Sequence, residues 1–226
     1  MRDTTDVDQR VTHPPSTQLK RHFERAVFDS DATAAILDEA LIGHLSTIVA
    51  DFPTIIPTTF VRIANNIYLH GAKKNRAFTQ ARGKPACFEV AILDGLVYAS
   101  IAFNHSMNYR SVVVYGVPIE VVELAEKVTA MDALIERFEE GRSSKLRPSN
   151  ATELDSTTLL RLPLDHSSTK MRKGPPAMTE EVPPRDAFIG TVSARLQFMG
   201  NTPSDLSAKS SVAVPTKLTG PVRSLE

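Results

Sequence analysis

The chain has 226 residues, 26 of them basic and 26 acidic, so its formal net charge is zero. That length fits one globular domain with extensions, and the charge balance argues against a nucleic-acid binder that works by bulk electrostatics. A single cysteine, Cys87, excludes an intrachain disulfide; with no signal-peptide core and no run near the roughly 18 apolar residues of a membrane span, a soluble cytoplasmic protein without nucleic-acid or membrane partners is expected.

Residues 1–22 are polar, proline-containing and aperiodic, and read as a flexible arm. Residues 23–192 carry the periodic elements of a domain, and 193–226 read as an extended or disordered tail. Ser30 or Asp31 can cap a short helix from Asp31 to Ala40, with Ala34, Ala35, Leu37 and Leu41 on one face. From His44 the pattern turns to strands. His44 to Val49 is the first, ending in a turn at Asp51-Phe52-Pro53. Thr54 to Ile63 is the second, interrupted at Pro57, and Ile67 to His70 is the third after a turn at Ala64-Asn65-Asn66. Short strands joined by tight turns predict an antiparallel meander.

Gly71-Ala72-Lys73-Lys74-Asn75-Arg76-Ala77-Phe78 reads as a glycine turn leading into a helix that ends near Arg82. Backbone N–H groups at a helix start with three cations nearby suit an anion, most naturally a phosphate; the same run also reads as a solvated basic helix face. Pro85 to Val90 and Gly95 to Ile101 are two further strands about a turn at Leu93-Asp94-Gly95.

Asn104 to Gly116, NHSMNYRSVVVYG, begins as a polar loop and becomes a strand from Tyr109 to Tyr115. Tyr109, Ser111, Val113 and Tyr115 share one face, with Arg110, Val112 and Val114 on the other. A guanidinium within an apolar strand needs an anion or several acceptors, so Arg110 marks a functional candidate. Glu123 to Glu140 is the clearest helix, with Leu124, Val128, Met131, Ile135 and Phe138 at helical spacing and Gly141 as its stop. Residues 142–156 read as a polar loop, Thr157 to Leu164 as a strand, and Lys170 to Pro176 as a basic loop. One apolar patch, Ala187 to Val192, precedes the tail.

Four blocks in this order resemble the pyridoxamine 5′-phosphate oxidase-like superfamily of FMN-binding split β-barrels, in the flavin-nucleotide-binding branch that includes nitroimidazole-resistance proteins. They are Ile36-Leu37-Asp38-Glu39-Ala40 through Ser46, Ile55-Ile56-Pro57-Thr58, Ile67 to Ala72, and Asn104 to Val112; Lys170 to Pro176 is a fifth. The resemblance implies a mainly β fold: a six-stranded antiparallel split barrel with flanking helices, homodimeric, with FMN in the groove where two barrels meet. It implies that Pro57 and Thr58 flank the isoalloxazine ring, and that Leu69, His70 and Gly71 line the groove. Lys74 and Arg76 would reach the phosphate, Tyr109, Arg110 and Ser111 the ribityl or phosphate oxygens, and Asn104 and Ser106 flavin or ribityl atoms. Lys170 and Arg172 would stand at the pocket mouth, though a solvated loop accounts for them equally.

The function so implied is an FMN-dependent oxidoreductase acting on a small planar substrate, with His70 as a proton donor beside the flavin. Alternatives are a non-catalytic flavin carrier or sensor, and a haem-binding protein of the same fold with His70 as ligand. His70 also reads as a core histidine at a strand end whose ring satisfies a backbone carbonyl; the adjacent Gly71, which keeps the backbone open there, favours the functional role. His44, His70 and His105 have no local metal-ligand spacing, so no metal site is expected. Cys87 reads as a buried apolar residue.

Overall fold

The computed structural model describes residues 17, 22–177, 179, 186–198 and 204. The expected N-terminal arm and most of the C-terminal tail lie outside them. β1 (Ala26–Val27) leads to α1 (Ser30–Glu39), capped by the Asp29 carboxylate, which accepts from the Asp31 N–H at 2.9 Å. The strands β2 (Gly43–Val49), β3 (Phe52–Thr58), β4 (Phe60–Ile63) and β5 (Asn66–Ala72) form the expected antiparallel succession. The interruption expected at Pro57 falls instead at Thr59: β3 pairs with β2 in one sheet, and β4 pairs with β5 in another. Pro57 fits inside β3 because it lies on the outermost strand of its sheet, where a missing N–H costs no ladder bond.

α2 (Arg76–Ala81) precedes β6 (Ala86–Tyr98), a single strand where a hairpin was expected. Asp94-Gly95 is not a turn but an irregularity in the β6–β7 ladder: Leu93 opposes Tyr109, Gly95 opposes Asn108, and Asp94 is the inserted residue. Such a bulge reverses which side chains face inward. β7 (Ser106–Gly116) starts before Tyr109, so part of the expected polar loop is strand. β8 (Ile119–Glu120), α3 (Leu124–Glu136), α4 (Ala151–Ser156), β9 (Thr157–Pro163), β10 (Ser167–Arg172) and β11 (Gly190–Ser193) complete the described elements. α3 stops before the expected end at Glu140. α4, read as loop from the sequence, is held by a capping box between Asn150 and Glu153. β10 takes the first three residues of the expected basic loop, Lys170 to Arg172, and its inward Thr169 hydroxyl lies 2.7 Å from that of Thr33 on α1.

The fold is mainly β, but it is not one closed six-stranded barrel. The described strands form a seven-stranded sheet in the order β1-β10-β7-β6-β2-β3, with β11 added to β6, and a four-stranded sheet in the order β4-β5-β9-β8. Between them lies one core, including Ile36 and Leu37 of α1, Leu45, Phe60, Leu69, Phe78, Phe88 and Leu160. On the far side of the smaller sheet, α3 covers Val61, Tyr68, Val121 and Leu159 with Ala130 and Leu134.

Gly43 shows how closely the core is filled. A Cβ built there would lie 2.1 Å from the Cζ of Phe88, itself fully buried and edge-on to Phe60 at 4.9 Å between ring centroids. Gly43→Ala is therefore expected to destabilise the fold by about 2 kcal/mol, read as a lower urea midpoint at unchanged slope. A midpoint equal to that of the parent would show that Phe88 moves aside freely.

Candidate functional site

The register of the larger sheet places the predicted residues on a common grid. Pro57, His44, Glu89, Val113 and Ser168 stand side by side across five strands, and alternation turns all of them away from the core. Two residues further along, Ala91, Ser111 and Lys170 form the next row, and then Leu93, Tyr109 and Arg172. Strands lie about 5 Å apart, so this outer face is broad enough for a planar ligand. It is also apolar and open: Ile48, Ile55, Leu93, Leu96, Met107 and Val192 all lie on it and are at least 40% exposed. His44 donates from Nδ1 to Glu89 at 3.2 Å in its middle. Cys87 shares this face, where burial and the Glu89 charge push its thiol pKa up, consistent with an inert side chain.

Tyr109, Ser111 and Lys170 meet on this face, half-buried, and no carboxylate pairs with Lys170 among the described residues. Arg172 does not join them. Its guanidinium donates to the side-chain oxygen of Asn108 and to the Gly174 and Pro175 carbonyls, so it closes its own loop. Ser106 falls on the opposite side of β7 by alternation, and Asn104 ends the short 3-10 turn before it (Ala102–Asn104).

Arg110 also points the other way, into the protein. The anion that a guanidinium in an apolar strand requires is present, but it is carboxylate rather than phosphate. Nε and Nη2 donate to Asp94 at 2.9 and 2.7 Å, and Nη1 and Nη2 donate to Glu39 at 2.5 and 2.8 Å. Donating hydrogen bonds to the Glu39 and then the Asp94 carboxylates raises the Arg110 pKa further, so it stays charged. The bulge in β6 is what aims Asp94 inward at this guanidinium. Neither carboxylate was singled out from the sequence. Asp94-Gly95 looks like a turn, and Glu39 comes from the last turn of α1.

The expected anion site after β5 is altered in a similar way. The Asn75 side chain accepts from the Ala77 and Phe78 N–H groups, capping the short α2, and Lys73 pairs with Asp155 at 2.9 Å. Lys74 and Arg76 remain exposed. Leu69 is fully buried in the core and cannot line a groove. Gly71 is needed for packing: a Cβ there would come within 3.0 Å of the Phe78 ring.

His70 lies on the opposite side of β5 from Leu69, on the face shared with Tyr68 and Leu159. Its carbonyl oxygen is 3.5 Å from the Thr58 hydroxyl, so these two predicted residues adjoin where the sheets separate. Among the described residues, His70 Nδ1 is the buried side-chain polar atom without a hydrogen-bond partner, and burial lowers the pKa of the ring. The imidazole is therefore neutral, with one nitrogen that the described chain leaves unmatched. A cavity of about 370 Å³ beside Met131, Leu146 and Arg147 contains none of the predicted residues.

No curated protein matches the chain significantly. Among solved structures, it is similar to the flavocytochrome Anf3 from Azotobacter vinelandii, at 28% identity over 91% of this chain and 98% of that one, with a TM-score of 0.82. It is also similar to the FAD and haem binding protein from Mycobacterium smegmatis, at 26% identity over 85% of this chain and 95% of that one, with a TM-score of 0.79. A structure from Bacteroides thetaiotaomicron, described as a candidate 5-nitroimidazole antibiotic resistance protein, shares the fold at 17% identity over 64% of this chain and 85% of that one, with a TM-score of 0.55. The sequence pattern of pyridoxamine 5′-phosphate oxidase matches residues 29–171, and the chain belongs to that family.

Proposed function

We propose that the protein binds a flavin on the outer face of its larger sheet and works there as an oxidoreductase on a small planar substrate, with two copies of the chain closing over the site as a homodimer. The observation that carries this reading is that face itself: open apolar side chains on the grid that holds Ser111, Tyr109 and Lys170, which has no carboxylate partner among the described residues. Burying such a face against a second copy would remove the exposed Ile48, Ile55 and Met107 from water. Lys170 and Ser111 would hold a phosphate by charge and hydroxyl donation, and Pro57 would sit against the flat ring. The His44–Glu89 pair can hold a proton beside it. A bound flavin supplies the electron-transfer chemistry; the chain positions it and excludes water.

A second reading is favoured by His70. Burial keeps its ring neutral, the state in which an imidazole ligates haem iron, and the two similar flavin proteins with the higher TM-scores are also described as a flavocytochrome and as haem-binding. The absorption spectrum of the purified protein tests both readings. A flavin gives bands near about 450 nm and haem a strong band near about 400 nm. A protein that takes up neither cofactor when both are supplied would overturn the proposal. Sedimentation of the cofactor-loaded protein as a monomer would overturn its dimeric part.

A further inference from the structure

β11 is held to the larger sheet by its backbone and by little else. Thr191, Val192 and Ser193 all expose their side chains, and no residue of the strand belongs to either core cluster. Such a strand has only its main-chain hydrogen bonds to set against the entropy of ordering it, and the two nearly cancel. Segments of that kind open on their own while the rest of a sheet stays paired.

The place where β11 docks is nevertheless built for it. The irregularity at Asp94 turns that carboxylate toward Arg110, while the Asp94 carbonyl oxygen accepts from the Ala194 N–H at 3.0 Å, just past the end of β11. Gly95 supplies the room. A Cβ there would lie 2.7 Å from the Val192 carbonyl oxygen and 3.3 Å from the Ser193 Cα, and its third nearest atom is again Val192 backbone. The side chain missing at Gly95 therefore makes way for β11 alone. At the other end of the strand, Gly190 takes φ +155°, a value that disfavours residues with a Cβ, and Phe188 packs edge-on against Tyr98 at 5.6 Å.

This slot also meets the outer face. Val192 pairs with Leu96 and Leu96 with Met107, so one exposed apolar row runs through β11, β6 and β7 beside the row of Leu93 and Tyr109. Whatever covers that row touches Val192 only while β11 is docked. We propose that β11 is a detachable strap at one end of the outer face: it docks in the slot at Asp94–Gly95, lifts away with the rest of the sheet intact, and is held down when the face is occupied. A ligand that favours the docked form shifts the strap toward it by its differential affinity. That last part rests on the proposed flavin site.

Hydrogen–deuterium exchange of the full chain tests this. The Ala194 N–H, and by alternation that of Val192, face β6, and their exchange is compared with that of Val112 to Val114 in β7. In the parent, Val192 and Ala194 should exchange about 100-fold or more faster than the β7 amides. Gly95→Ala should speed both by about tenfold or more and leave β7 unchanged. Val192→Pro, placed on the strap itself and away from the core, should do the same at Ala194. FMN at a hundred times its Kd should slow the parent's Val192 and Ala194 by about tenfold or more. Exchange at these two amides as slow as in β7, or unmoved by either substitution, would overturn the strap. FMN that binds without slowing them would overturn its coupling to the face. A parent that binds no FMN would remove the flavin site and that coupling together, and the exchange of the cofactor-free variants would still decide the strap.

Discussion

His70→Leu is expected to make the cofactor-free protein more stable and, on the haem reading, to abolish the haem band. The parent buries a bare imidazole nitrogen, and an unmatched polar group of this kind costs about 1–3 kcal/mol. Leucine removes the atom and fills much of the same volume beside Leu159. For a chain of this size, about 1 kcal/mol corresponds to a rise of about 2–4 °C in Tm. The gain should grow as the pH falls. Burial lowers the folded pKa of His70, so the unfolded chain takes up its proton first, and the parent loses stability as the pH drops below the ordinary histidine value of about 6.5. His70→Leu lacks that contribution. Melting curves at pH 5 and pH 8, with the absorption near about 400 nm after haem addition, check both parts. A variant that melts below the parent, or that keeps the haem band, would show that His70 is an ordinary core histidine.

The opposite behaviour is expected at Arg110. Arg110→Met should destabilise the protein by about 3 kcal/mol, within the range for breaking a buried ion pair by removing one partner. The loss is moderated because the Glu39 side chain is half exposed and water can partly replace the guanidinium. Asp94 is less accessible, and Glu39 also ends α1, where the helix dipole disfavours a carboxylate. Neutralising both acids in the same background, as Arg110→Met with Glu39→Gln and Asp94→Asn, should recover much of the loss. Denaturant unfolding of the single and triple variants measures this. If Arg110→Met costs less than about 0.5 kcal/mol, the three charges contribute no more than surface ion pairs do.

These two residues show how far the sequence could be read. Alternation along Tyr109–Tyr115 correctly put Arg110 opposite Tyr109 and Ser111, and the apolar strand around it correctly demanded an anion. The identity of that anion was not legible. Glu39 is 71 positions away, and Asp94 belonged to a dipeptide whose ordinary meaning is a turn. β2, β5 and β9 were recognisable as short β-rich runs, as was α3 with its long apolar stripe. β10 was not: Ser167–Arg172 carries one apolar side chain, and its place is set by pairing with β7 and by the Thr33–Thr169 contact. α4 is too short for periodicity and depends on its cap. For His70, the glycine beside it suggested open backbone, whereas Gly71 makes room for Phe78. The missing partner of its ring is a property of the packed molecule and has no counterpart in the order of residues.

β11 also has a bearing on solubility. β2 occupies one border of β6 at Cys87–Glu89, and β11 covers the same border at Gly95–Tyr98. Shortening the protein to end ahead of Gly190 would strip that border and leave its peptide groups bare beside Leu96. Bare borders of this kind recruit strands from other molecules, so the shortened form should clump as its concentration rises.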